Sequence, residues 1–569
     1  MFPSSSISLG AALLLLAKPA FSEFHPCPLL GPRFPAPTSL IDSPIIQSAL
    51  DDLESQFNNT IATGNSSHGP TTPNATSFSV SLFSIAEGSS YSSDKPFFYE
   101  FHHTAPPIKS SSVGVQAVDA DSIYRIGALS QIFCVWSLLI EAGDGHWHEP
   151  VTKYVPELAD AVEDLVPSNS IEYVDWDQVT LGDLASHMAG IGRDYGFTDS
   201  LGGGYANDSD TSYTRDEFFE DFIHRAPVYL PGTTPIFSNA AFQILGYVVE
   251  AMAGDSFGSI LEDRILAPLN MTGSSLSAPS ESGKGVIPVD ESASGWSAVL
   301  GDKSPSISMY STVKDLARAG KAILASELLT PAETRRWLKP VTRTSNTANS
   351  VGRSWNIYTA VSESTDPVID VYTQLGNTGL YSSYIGLSED HGVGFSILAA
   401  DVNSSADLNV HADLISESLL PALERAAMSQ ANASYSGVYS CAQDDSSITI
   451  EVDMEVGLSV TAWTNRGVDV RESLATSQGM KPSSLSIRLF PTNLITESES
   501  GSKRAFRAVF QNKDAFADSG TPTCITWMFV DEILNDSMAM DRFVFGLDSD
   551  GQATSLDVPA LKATLERGG

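Results

Sequence analysis

From residue 43 to residue 64 the apolar positions Ile46, Leu50, Leu53, Phe57 and Ile61 fall on one face at helical spacing, with Ser43 placed as a cap and Gly64 as a stop. The pattern then changes period. SFSVSLFSIAEG and KPFFYEFHH alternate as strands do and have turn residues between them, so they predict a hairpin. Two more strands are predicted between Leu380 and Asp401, around the turn Glu389-Asp390-His391-Gly392. The text between these strand-rich ends is mostly helical: a long apolar run from Ala128, a run from Thr180 to Ala189, and a run from Asn239 to Ala253 closed by Gly254. A sheet built from both ends of a domain around a helical insert is an α+β arrangement. After about Ala431 the pattern becomes short alternating strands separated by Gly, Asp and Ser turns, which predicts a separate all-β barrel or sandwich.

Length and composition set limits on this picture. At 569 residues and 42% hydrophobic content the chain can bury a large core in more than one domain. Its net charge of -37 repels nucleic acid and anionic membrane surfaces. The first residues carry an apolar run from Leu9 to Leu16 and an Ala20-Phe21-Ser22 step, which predicts a cleaved signal peptide over residues 1–22 and hence secretion. No later stretch reaches transmembrane length, so stable membrane insertion is not expected. Asn-x-Ser/Thr acceptors at Asn58, Asn65, Asn74, Asn207, Asn270, Asn403, Asn432 and Asn535 fit a secreted glycoprotein. Cys441 and Cys524, both in strand-like text, are the expected disulfide. Cys134 reads as a small buried hydrophobe, and Cys27 has no evident partner.

Four stretches, YRIGALSQ, VTLGDLASHMAGI, PGTTPIFSNAAFQILGYVVE and YTQLGNTGLYSSYIGL, resemble the serine β-lactamase and penicillin-binding-protein-like hydrolases. Secreted fungal members with an added C-terminal β domain are the most similar. The resemblance implies a β-lactamase/transpeptidase-like domain over residues 23–430 and a small β domain over residues 431–569. In that family a Ser-x-x-Lys motif opens a helix, so that lysine takes the proton of a serine that attacks an acyl carbon. Here those positions are Ala128 and Gln131. The family's Tyr-x-Asn becomes Phe237-Ser238-Asn239, and its Lys-Thr/Ser-Gly becomes Gln374-Leu375-Gly376. Nucleophile, base, phenol and edge-strand lysine are all replaced, each by a side chain of similar bulk. The expectation is a pocket lined by Ala128, Gln131, Phe237, Asn239, Gln374 and Gly376 that keeps its shape and lacks acyl-enzyme chemistry.

Other groups admit a chemical and a plain reading. Ser130 lies about 200° around the helix from Ala128 and reads as a framework hydroxyl. His187 matches a structural family position. His146, His148 and Glu149 lack a nameable third ligand, so no metal site is expected, and Gly202-Gly203-Gly204 lacks the context of a nucleotide loop. Arg193-Asp194-Tyr195 and Tyr381 are either ordinary loop and strand residues or pocket-mouth groups able to bind a polar ligand or do acid–base work. Two functions remain open. One is a pseudohydrolase that binds a small acyl or polyketide-like molecule; the other is an enzyme of altered, non-covalent mechanism, such as a cyclase, isomerase, lyase or hydrolase in fungal secondary metabolism. Neither needs a cofactor, both imply a small-molecule partner, and the oligomeric state stays open.

Overall fold

Pro44 at the first helical position and Gly64 in the left-handed region bracket helix α1 (Pro44–Thr63), whose Ile46, Leu50, Leu53 and Phe57 are buried. The computed structural model describes residues 26–87, 94–165, 169–194, 214–279, 282–360, 368–498, 501–515 and 524–568. The predicted signal segment, Tyr195, Gly202 to Gly204 and Asn207 lie outside them. The chain divides into two units, Phe34–Gln430 and Met1–Arg33 together with Ala431–Gly569.

In the larger unit the predicted hairpin forms as β1 (Thr76–Ser84) and β2 (Tyr99–His103). All nine residues of β1 are buried. Phe78, Val80 and Leu82 face the core that α1 covers. On the other face the serines find partners: Ser79 Oγ lies 3.0 Å from the Tyr124 hydroxyl, and Ser81 Oγ donates to the Val313 carbonyl at 3.2 Å.

The helical insert follows. Its main members are α2 (Ser130–Ala142), the short α3 (Leu181–Ala185), α4 (Asn239–Ala253) and α5 (Val313–Ala325). The chain then returns to the sheet as β3 (Thr342–Arg343), β4 (Asn349–Val351), β5 (Asn356–Ala360), β6 (Ile369–Thr378), β7 (Tyr381–Ser388) and β8 (Val393–Asp401). The strand order is β2-β1-β8-β7-β6-β5-β4-β3, antiparallel throughout, so both ends of the domain meet at β1 and β8 as the pattern predicts. Helix α6 (Asn409–Tyr435) joins α1 on one face, where Leu414, Ile415, Leu419 and Leu423 share its core. The insert helices build the other core around Leu129, Phe133, Trp136, Leu245 and Leu316.

The smaller unit resolves the barrel-or-sandwich alternative. Strands β9 (Gly437–Cys441), β10 (Ser446–Glu451), β11 (Leu458–Asn465), β12 (Val468–Asp469), β13 (Leu485–Ser498), β14 (Gly501–Asn512), β15 (Arg542–Leu547), β16 (Ala553–Val558) and β17 (Ala563–Arg567) form one sheet. β9 pairs with β17, and β10 with β11, so the sheet closes into an antiparallel up-and-down barrel with β12 appended. Tyr435, Phe506 and Phe545 pack ring against ring among its buried residues, with centroids 5.0 to 5.3 Å apart.

The expected Cys441–Cys524 disulfide is not made; Cys524 is bonded to Cys27. The reason is local. Cys524 lies in irregular chain ahead of a 3-10 turn, Thr526–Phe529, and that segment runs along residue 27, where Thr526 Oγ1 donates to the Cys27 carbonyl at 2.9 Å. Cys441 ends β9 opposite Ser446 and stays a thiol.

Candidate active-site cleft

Gly127 and Gly376 bring the start of the apolar helix against the edge of β6. Gly127 has a φ of 50°, and a Cβ on it would lie 2.9 Å from the Asn377 nitrogen. A Cβ on Gly376 would fall 2.2 Å from the Ile126 carbonyl oxygen and 2.6 Å from the Ala128 nitrogen. Only glycine fits at either place. The consequence is that the backbone at Ala128 and at Gly376–Asn377 shares one wall. Gly379, further along the chain, abuts the Ser294 carbonyl.

The stretches read as the three motifs meet at this wall: Ala128, Phe237 and Asn239 line the cleft, while Gln131, Gln374 and Gly376, expected to line it, lie behind its surface. A cleft of about 150 Å³ is lined by Ala128, Arg193, Asp194, Phe237, Asn239, Ile307, Leu375, Asn377 and Thr378. Beneath it the side chains of Gln131 and Gln374 are buried and form part of one directed chain of amides. Asn356 Nδ2 donates to Gln374 Oε1 at 3.1 Å, Gln374 Nε2 to Gln131 Oε1 at 3.1 Å, Gln131 Nε2 to Asn239 Oδ1 at 3.0 Å, and Asn239 Nδ2 to Asp194 Oδ1 at 2.6 Å. The direction is fixed at both ends, because the Asp194 carboxylate accepts and the Leu375 N–H donates to Gln374 Oε1 at 3.2 Å. Ser306 Oγ adds a donor to Asn239 Oδ1 at 3.2 Å. Gln374, Gln131 and Asn239 are each matched at both oxygen and nitrogen, and no amide in the relay can take a proton near neutral pH.

Around the relay other polar side chains are engaged with the framework. Ser130 Oγ donates to the Gly127 carbonyl at 2.7 Å and accepts from the Met309 N–H at 3.1 Å, so it is fully engaged away from the cleft. His187 has a φ of 59° and accepts the Ser238 N–H at 3.2 Å; its ring lies 4.7 Å from that of Phe237. Burial, assisted by Arg193, holds its pKa down to about 4, so it is a neutral acceptor at pH 7. Cys134 is buried, which pushes its thiol pKa up. His146 is engaged with Glu149 at 2.8 Å, and among the described residues no group of three or more His, Cys, Asp or Glu could hold a metal.

At the mouth, Asp194 is in place and the Arg193 guanidinium lies 4.9 Å over the Phe237 ring. Tyr381 is not there. It is fully buried against Trp296, at 6.1 Å, because it enters β7 with its side chain in the insert core; Thr378, opposite it in the ladder, lines the cleft instead. Asn356, Ser306, Ile307, Leu375 and Asn377 were not foreseen from the motifs. Asn356 reaches the site by cross-strand pairing with Thr373, which no local spacing announces.

One other cluster has the composition of a hydrolytic triad. Ser388 Oγ and Glu424 Oε1 each lie 2.8 Å from His391, on Nδ1 and Nε2. Ser388 and His391 are each 4% exposed, and the void beside Ser388 is about 10 Å³, so the cluster ties the β7–β8 turn to α6 and admits no substrate.

Residues 107–420, more than half of the chain, match the family described as Beta-lactamase, and residues 427–569 match "Beta-lactamase-like-like, C-terminal domain". A β-lactamase-like protein of Arthroderma benhamiae is 26% identical over 95% of both chains. A probable hydrolase, M10, of a Phoma species is 23% identical over 71% of this chain and 70% of its own. A class C β-lactamase of known structure covers 67% of this chain and 97% of its own, with 16% identity and a TM-score of 0.48. The chain belongs to the β-lactamase family.

Proposed function

We propose that the chain is a secreted pseudohydrolase that binds a small acyl or polyketide-like molecule in the cleft at Ala128. The observation that carries this reading is the matched amide relay from Asn356 to Asp194, which occupies the place of the family's proton-transfer groups and leaves the cleft above it open. An alanine methyl cannot attack a carbonyl, and a neutral amide cannot activate a hydroxyl. Ala128, Phe237, Ile307 and Leu375 offer apolar contact, while Asn239, Asn377 and Thr378 offer neutral hydrogen-bonding groups, a set suited to an acyl group beside a carbonyl or hydroxyl. Secretion is supported by the leader pattern, the Cys27–Cys524 disulfide and the acceptors Asn58, Asn65, Asn74, Asn270, Asn403, Asn432 and Asn535, each of which is exposed.

The rival reading, an enzyme of non-covalent mechanism, draws on Asp194, the one carboxylate among the described residues that line the cleft and a base within reach of a bound ligand. The names of two relatives, from Phoma and Cochliobolus lunatus, include the word hydrolase. A single experiment separates the two. Phenyl acetate raises the melting temperature of the unmutated chain and not of Ala128→Trp, and no phenol is released. Turnover that disappears in Asp194→Asn replaces the pseudohydrolase by the non-covalent enzyme, and an equal shift in Ala128→Trp removes the cleft from both readings.

A further inference from the structure

We propose that the larger unit carries a second ligand site, where β1 and β8 meet the C-terminal end of α1 and the start of α6, and that it takes a small neutral hydroxylated ring compound of the phenol type. A cavity of about 250 Å³ is lined there by Ile61, Pro70, Pro73 and Phe78 together with Thr71, Thr76, Asp401 and His411. It shares no lining residue with the cleft at Ala128.

The charge of the ligand follows from how the site's ionisable groups are used. Asp401 is buried, and its carboxylate accepts from Thr76 Oγ1 at 2.6 Å, Thr72 Oγ1 at 3.2 Å, the Asn403 N–H at 2.7 Å and the Ser404 N–H at 3.3 Å. With four donors it needs no cation. Asp407 is exposed and accepts the Asn409 N–H at 3.0 Å at the start of α6. Burial holds the pKa of His411 down to about 4, so the imidazole offers no positive charge to an anion at pH 7. No metal-binding group occurs among the described residues. A neutral ligand remains.

Its polarity and size follow from what is left unmatched. His411 is 4% exposed, and its Nδ1 has no hydrogen-bond partner among the described residues; Thr71 Oγ1, on the same lining, has none among them either. Unmatched buried groups of this kind carry a desolvation cost until something bonds them. A single hydroxyl does both tasks, since it donates and accepts. The His411 ring lies 4.7 Å from Phe78 in an edge-on arrangement, and Ile61 and the two prolines complete an apolar wall for a ring. The volume falls below the roughly 300 Å³ at which drug-sized pockets begin, so one ring fills it.

The test uses the full chain carrying Asn403→Gln, so that no glycan stands at the rim, and follows phenol and toluene separately by saturation-transfer NMR. Phenol is expected to saturate in the range of about 1 mM, as an efficient seven-heavy-atom ligand would. His411→Phe, which keeps a ring and removes the nitrogens, is expected to weaken phenol at least about tenfold and leave toluene unchanged. Thr71→Val is expected to weaken phenol alone by a smaller factor, and it serves as the test if His411→Phe fails to fold. Absence of phenol saturation at about ten times that concentration overturns the proposal, as does equal phenol affinity in both variants and the parent.

Discussion

A buried amide is tolerated when both its oxygen and its nitrogen are matched, and in the relay from Asn356 to Asp194 the three inner amides, Gln374, Gln131 and Asn239, meet that condition. Gln131→Leu removes one donor and one acceptor from its middle and is expected to cost about 1–3 kcal/mol in denaturant unfolding, without changing the cleft wall. Ala128→Ser alone is expected to give no esterase activity, because its hydroxyl meets only neutral amides. Adding Gln131→Lys and Phe237→Tyr places an ammonium against Asn239 Oδ1, in surroundings where burial lowers its pKa, and a phenol at the mouth. Slow turnover of an activated ester is then expected, and a folded triple variant that stays inert would show that the cleft does not keep a geometry for acyl transfer. A third consequence concerns pH. His187 and His411 both have pKa values depressed to about 4, so the stability they confer is complete above the unfolded value near 6.5 and is lost as the pH falls toward 4. His187→Asn, which tolerates the left-handed backbone, is expected to make the drop in melting temperature between pH 7 and pH 4.5 smaller than in the parent; an equal drop would mean the ring is not neutral when buried. Ala128, Gln131, Phe237 and Gln374 could be singled out in the sequence because each sits at a fixed spacing inside a stretch that resembles a motif. Asn356 and Ser306 could not, since they arrive from other elements.

Elements place these residues, and their packing is decided by glycines more than by propensity. Gly376→Ala would set a methyl 2.2 Å from the Ile126 carbonyl and 2.6 Å from the Ala128 nitrogen, both backbone atoms with little room to yield. The expected cost is about 2 kcal/mol or more, with loss of ligand binding at the cleft. A variant as stable as the parent would mean that β6 and the start of the apolar helix are not held this closely. The helices α1 and α4 and strands β1, β2, β7 and β8 were legible because period and stop signals agree, as at Gly64 and Gly254. Tyr381 shows the limit of such reading. The strand was predicted, and the face its first residue would take was not, because that depends on which core each side of the sheet meets.

For the whole molecule, the disulfide joins residues separated by 497 positions, and proximity of that kind leaves no trace in local pattern. Non-reducing peptide mapping is expected to recover Cys27 linked to Cys524, with Cys441 alkylated as a free thiol. Cys524→Ser is expected to lower the stability of the smaller unit by about 2–4 kcal/mol. A Cys441–Cys524 peptide would overturn the chain path described for residues 27 and 524. The barrel itself was legible as strands, and its closure was not, since the β9–β17 pairing unites the two ends of the unit. Loss of acyl-enzyme chemistry with retention of the family's fold is the claim on which the rest depends, and intact-mass spectrometry after exposure to a fluorophosphonate and, separately, to penicillin tests it most directly. An unmodified mass is expected for the unmutated chain in both cases. A stoichiometric adduct that maps to Ser130, or to any other serine at the cleft, would contradict it.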